Sequence, residues 1–219
     1  GDSHAGSVGD GLFAAGEGLD IRVTGFFGYG CPIADGFTVT TDGICTSSVD
    51  FSMALVRQLK PDVVVIANSY VTYLTGEQPA DLIVGNPADI EIPSNLMSNT
   101  VALVSALQSR VNEVVSGGSR VIILEEVPFA VMPGTDSTDE MWAHNRLRDV
   151  VNDELRQRFS ENGAVDVVDA STALCGSSPT CALDRDGQLQ YWHKTHLNRL
   201  GSLRLTSFWA GVLTAAVAR

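Results

Sequence analysis

Ser3 and His196 are residue types that carry nucleophilic chemistry when they meet. A serine hydroxyl attacks a carbonyl only if a base takes its proton, and the oxyanion that follows must be stabilised. Ser3 stands in Gly-Asp-Ser-His at residues 1–4, and His196 in WHKTHLNRLG at residues 192–201. On a strand-to-helix turn the Ser3 hydroxyl would lie at a helix N-terminus, where the dipole favours developing negative charge. The same residue also reads as a plain N-cap serine. Two segments offer oxyanion donors. GYGCP at 28–32 presents an unhindered backbone N–H at Gly30 or Gly28, or is ordinary turn chemistry before a proline. Asn68 ends the apolar run VVVIANSY, where its amide can donate to an oxyanion or simply end a strand and start a turn. His196, ahead of the last helical pattern, can reach back over a sheet to Ser3, or be a solvated histidine at a helix start. Asp2 adjoins Ser3, which turns it away from the site; it is expected beneath the nucleophile turn, bonded to backbone N–H groups. His4 reads as a wall or surface residue rather than a base.

The elements that must position these residues follow from apolar periodicity. DIRVTGFF (20–27), DVVVIANSY (62–70), RVIILEEVP (120–128) and AVDVVDAST (164–172) read as strands, the last three as runs buried on both faces. Helical spacing runs from Val49 to Leu59, from Asn95 to Val115 with Gly117-Gly118 as a stop, and from Asp139 to Phe159. In the last of these Trp142, Leu147, Val150, Val151 and Leu155 form one stripe. Residues 5–19 look helical, and Arg199–Ala218 closes the chain as an amphipathic helix. Strands alternating with helices predict an α/β fold, a doubly wound parallel sheet with right-handed crossovers, in one domain over 1–219. The irregular segments 28–47, 71–94, 129–138 and 173–192, beyond strand ends, are where function is expected. No strand precedes residue 1, so the chain is expected to begin just after its own first strand.

The formal net charge is −12, which argues against nucleic acid and anionic membrane surfaces and is compatible with a neutral or sugar substrate. Apolar residues make up 44% and charged residues 18%, a globular composition. No apolar run is long enough to span a membrane, and no signal peptide is visible. The histidines and acids show no metal-ligand spacing, so no metal or organic cofactor is implied. Four cysteines in short polar loops favour two local disulfides, Cys31 with Cys45 and Cys175 with Cys181, over four buried thiols. Disulfides imply an extracytoplasmic, oxidising compartment.

Taken in order, GDSH, GYGCP, VIANSY and WHKTHLNRLG resemble the blocks of the SGNH (GDSL-like) esterase and acetyltransferase superfamily. The Asn block departs from that superfamily's common Gly-x-Asn-Asp form. A closer likeness, through GDSHA, Gly-Cys-Pro, the late Cys pair and the terminal His-Leu-x-x-x-Gly, is to SGNH domains fused behind bacterial membrane acyltransferase modules that O-acylate cell-surface glycans. The resemblance implies a flavodoxin-like three-layer fold and an acyl-enzyme on Ser3, with His196 as base. It also implies an oxyanion site of the Ser3, Gly30 and Asn68 donors, a glycan acceptor, and an acyl donor supplied through an upstream membrane module, the domain being tethered by it. The alternative is a catalytically impaired domain that binds or positions a glycan. The family usually has Asp three residues before the catalytic His; here that position is His193. Either a backbone carbonyl orients His196, or Asp184 or Asp186 substitutes, or nothing does. Asp186-Gly187 reads more simply as a hairpin turn.

Overall fold

The computed structural model describes residues 1–37, 44–75, 94–130, 138–176, 178, 181–182, 184–193 and 195–219. Three strands, β1 (Val63–Ile66), β2 (Arg120–Leu124) and β3 (Val165–Val168), form a parallel sheet in the order β1-β2-β3. Val64 pairs with Val121, and Ile123 with both Ile66 and Val167. The strands are short apolar runs because both faces are covered. Val64, Ile66, Val121, Ile123 and Val165 enter one core, with Leu103, Leu107, Val151 and Leu155 of the helices α4 (Ser94–Ser116) and α5 (Thr138–Phe159). The helices α2 (Ile44–Leu59) and α3 (Tyr70–Thr75) complete that layer through Met53 and Val71. The alternate residues Val65, Ile122, Leu124 and Val168 face a second core. It is closed by α1 (Ser3–Gly18), α6 (Ser171–Cys175), α7 (Arg199–Arg204) and α8 (Thr206–Val217), through Val8, Leu174, Leu205 and Trp209. Helices on both faces of a parallel sheet make the expected three-layer α/β fold.

The helical spacings hold to within a residue or two for α4 and α5, and α2 begins five residues before its expected start. Leu147, Val151 and Leu155 are buried as their stripe predicts, and Val150 is half-buried. The Trp142 side chain lies outside the described residues, as do 38–43, 76–93 and 131–137 of the irregular segments. Asp186 and Gly187 both take positive φ in the hairpin joining β4 (Asp184–Arg185) to β5 (Gln188–Leu189), the turn the dipeptide predicts.

Two expectations are corrected. Residues 20–27 are not a strand. A strand exists only as part of a ladder, and the backbone bonds found here among the described residues are not ladder bonds: the Ile21 N–H donates to the Gly16 carbonyl at 2.8 Å and, just past the segment, the Gly28 N–H to the Gly1 carbonyl at 2.9 Å. The terminal helix is also two helices. At Leu205 the backbone tightens, its N–H bonding the Ser202 carbonyl, while the Thr206 hydroxyl takes the Leu203 carbonyl. Such a hydroxyl competes with the helical ladder, and α8 restarts from the Leu205 carbonyl through Trp209. Among the described residues no helix is long and apolar enough to cross a membrane.

Candidate active site

Ser3 is the first residue of α1, and its N-cap is Asp2, whose Oδ1 accepts the His4 N–H at 2.8 Å. The Ser3 hydroxyl is therefore not needed as a cap. The other Asp2 oxygen accepts the Ser69 N–H at 2.7 Å and the Tyr73 hydroxyl at 2.6 Å. A fully buried carboxylate thus ties the helix start to the chain leaving β1, the place beneath the turn that its sequence position predicts. Burial and the Asp2 charge together push the Tyr73 phenol far above its usual range, so it stays a donor.

Ser3 Oγ lies 2.8 Å from His196 Nε2, across 193 positions of sequence. His196 opens β7 (His196–Leu197), which pairs antiparallel with β6 (Tyr191–His193). Just beyond it Asn198 caps α7, its Oδ1 accepting the Gly201 N–H at 2.9 Å, while its own N–H donates to the Gln190 carbonyl. A Cβ on Gly201 would stand 2.1 Å from that same carbonyl oxygen, so only glycine lets α7 start here. This is what the His-Leu-x-x-x-Gly spacing does physically. One residue further on, Ser202 Oγ accepts the Gly11 N–H at 3.0 Å and locks α7 to α1. The helix carrying Ser3 and the turn carrying His196 are thus braced against each other.

The His196 ring is enclosed by other rings: His4 at 4.3 Å between centroids, Trp192 at 5.3 Å and His193 at 6.1 Å. Its Nδ1 is buried and meets no hydrogen-bond acceptor among the described residues. Burial first, then the neighbouring His4 and His193, lower its pKa to about 4 against a partial counter-effect of Asp2. At neutral pH it is an uncharged imidazole able to accept the Ser3 proton. Of the carboxylates weighed as substitutes for a triad Asp, Asp186 pairs with Arg204 at 3.2 Å and Asp184 is exposed in the β4–β5 hairpin. His193 sits opposite His196 in the β6–β7 pair and is exposed.

Gly30 occupies a turn closed by Cys31 N–H to the Gly28 carbonyl, and its φ of 65° is the left-handed conformation that favours glycine. The Gly28 N–H is already spent on Gly1, so Gly30 is the glycine left with a donor, and it lines the cleft with Ser3 and His196. The Cys31–Cys45 disulfide anchors the turn, and Cys175–Cys181 forms the second bridge. Asn68 is buried just past β1. Its Oδ1 accepts the Ile33 N–H at 3.2 Å, while Nδ2, near the Tyr70 hydroxyl, has no hydrogen bond of standard geometry among the described residues.

Three site residues were not singled out from sequence. Tyr73 holds Asp2, Trp192 flanks His196, and Glu126 lies buried behind His4. The signal for Glu126 was present: two acids ending the apolar run RVIILEE, at the strand's carboxyl end where ligand sites form. Glu126 Oε2 accepts the Val71 N–H at 3.2 Å, and Oε1 lies 3.9 Å from His4 Nε2 and 4.0 Å from His144 Nε2. Burial raises the Glu126 carboxyl to about 8, and burial lowers the pKa of His4, which is walled into the site rather than at the surface. Among the described residues no cluster of three or more His, Cys, Asp or Glu has the geometry to hold a metal ion.

The arrangement gives a hydroxyl poised on an imidazole at a helix N-terminus, beside a cleft of about 860 Å³. No curated protein matches the chain significantly. Among solved structures, the periplasmic domain of a lipopolysaccharide acetyltransferase from Salmonella ser. Paratyphi A matches 97% of this chain and 81% of that one. The TM-score is 0.65 at 16% sequence identity, a likeness of fold. The family model described as the SGNH domain (fused to AT3 domains) matches residues 1–211, so this chain, with its serine, glycine, asparagine and histidine blocks in that order, belongs to that family.

Proposed function

We propose that the domain transfers an acyl group, acetyl in the first instance, to a hydroxyl of a cell-surface glycan through an acyl-enzyme on Ser3. The observation that carries this reading is the 2.8 Å contact between Ser3 Oγ and His196 Nε2 at the start of α1. Ser3 Oγ attacks the ester carbonyl as its proton passes to His196 Nε2. The oxyanion is held by the Ser3 and Gly30 N–H groups and Asn68 Nδ2. Collapse expels the donor alcohol, which takes the proton from His196. A sugar hydroxyl then attacks the acyl-Ser3, losing its proton to His196, and Ser3 recovers its own as the ester leaves; water in place of the sugar gives hydrolysis. The family's fusion to AT3 domains supports a membrane acyltransferase module as the donor side, and the acetyltransferase neighbour supports a glycan acceptor. The two disulfides support an extracytoplasmic site of action.

A second reading, a glycan-binding domain with impaired chemistry, draws on His196 Nδ1, which has no acceptor among the described residues. One assay separates the two. p-Nitrophenyl acetate hydrolysis is expected to fall at least about 10²-fold in both Ser3→Ala and His196→Ala. Equal rates in the three proteins reject acyl transfer from Ser3.

A further inference from the structure

The cleft is much larger than an acetyl ester needs. Its volume of about 860 Å³ lies in the range of about 300–1,000 Å³ typical of sites for whole small molecules. From Ser3 it follows one face of α1, lined by Ser3, Gly6, Ser7 and Asp10. That i, i+3, i+4, i+7 spacing is a single helix face, and seven residues span about 10 Å. The face is small and polar, so it forms a floor rather than a plug. The same cleft is lined by Trp192, which is 63% exposed although it lies against His196. The ring meets His196 and His193, the latter at 5.9 Å between centroids, and still leaves most of its apolar surface open to the cleft and solvent. Asp10 and Arg199 also line the cleft and form no ion pair among the described residues. Their opposite charges leave the cleft edge electrically balanced.

These features share one chemistry. A pyranose ring presents an apolar face of C–H groups and an edge of hydroxyls. The flat indole of Trp192 fits the face, the Asp10 carboxylate accepts from hydroxyls, and the Arg199 guanidinium donates to ring and hydroxyl oxygens. We infer that Trp192, Asp10 and Arg199 form an acceptor subsite for a neutral oligosaccharide, which stacks on Trp192 and lies along α1 from Ser3 towards Asp10. The inference rests on the acyl-transfer reading for its purpose, but the subsite binds sugar whether or not Ser3 reacts. The sugar next to Ser3 presents the hydroxyl to be acylated, and the rings beyond it lie over Ser7 and Asp10. The subsite therefore favours chains of two or more sugars over a single one.

The test uses Ser3→Ala protein, which cannot form the acyl-enzyme, titrated with maltotetraose, cellotetraose and chitotetraose while the Trp192 indole N–H is followed by NMR. At least one tetrasaccharide is expected to shift that resonance saturably, and to bind at least about fivefold more tightly than the matching monosaccharide. Trp192→Ala is expected to weaken binding at least about tenfold, read on the Gly6 amide. Asp10→Ala, an exposed change on a helix, is expected to weaken it severalfold. The inference is overturned if none of the three sugars shifts Trp192, or if both variants bind as tightly as the parent. Failure of the Ser3 chemistry shows separately, in the p-nitrophenyl acetate assay, and leaves these titrations unaffected.

Discussion

His196 combines the position of a general base with the basicity of a weak one. A half-buried imidazole whose second nitrogen has no acceptor among the described residues gains little from being charged, and His4 and His193 lower its pKa further. In the proposed mechanism its protonation near pH 4 sets the acid limb. The pH profile of kcat/KM is expected to stay flat well below 6.5, the ordinary histidine value, and to halve near about 4. Position 193 faces His196 across the β6–β7 pair, so His193→Asp would bring a carboxylate to the ring. That variant is expected to move the acid limb towards neutrality and to raise kcat by about tenfold or more; an unmoved limb with unchanged kcat rejects the weak-base account. Glu126 makes a prediction about stability. Its pKa rises from 4.5 to about 8 on folding, so the folded chain keeps a proton that the unfolded chain releases. This contribution is complete below 4.5 and is lost as pH rises through about 8. Gln at this position can still accept the Val71 N–H and does not titrate. The melting temperature of Glu126→Gln relative to wild type should therefore climb between pH 4.5 and about 8, and a pH-independent difference rejects a buried neutral carboxyl.

The elements show why local pattern was a good guide in some segments and a poor one in others. β1, β2 and β3 were legible because each is a short apolar run with a β-branched majority, and each has neighbours to pair with. DIRVTGFF has similar propensity yet forms no ladder among the described residues, because pairing belongs to two segments and not to one. The break at Leu205 was equally hidden, since the apolar periodicity continues across it and the interruption comes from a threonine hydroxyl taking a backbone carbonyl. The start of α7 packs on the Gln190 backbone with no room for a side chain at Gly201. Gly201→Ala is expected to cost about 1–3 kcal/mol, because the new Cβ would have to displace backbone. It should lower hydrolysis as well, since the displaced backbone lies next to His196. A thermal melt within about 0.5 kcal/mol of wild type contradicts the close approach.

Across the whole molecule, two layers of helices hold the sheet, and the cystine-anchored turn brings Gly30 to the cleft with Ser3 and His196. Intact mass of the oxidised protein is expected about 4 Da below the all-thiol value, one pair of hydrogens lost per bridge. Cys31 and Cys45 are 14 residues apart, and closing a loop of that size stabilises by about 3 kcal/mol in the chain-entropy account. The double serine variant should lose most of that, read by denaturant unfolding, and an unchanged midpoint rejects a stabilising bridge. The amino-acid sequence by itself determined the α/β class, the strand and helix runs of the sheet and its two layers, the cysteine pairs, and Ser3 and His196 as candidates. These depend on residue type and near-neighbour spacing, which the chain carries locally. Tertiary structure alone decided that Ser3 and His196 meet, that Asp2 and not Ser3 caps α1, and that the nitrogen His196 turns away from Ser3 has no acceptor among the described residues. It also decided that Glu126 is buried behind His4. These are relations between residues brought together only by the sheet and the α1–α7 contact, and burial, which sets their charge, exists only once those layers close.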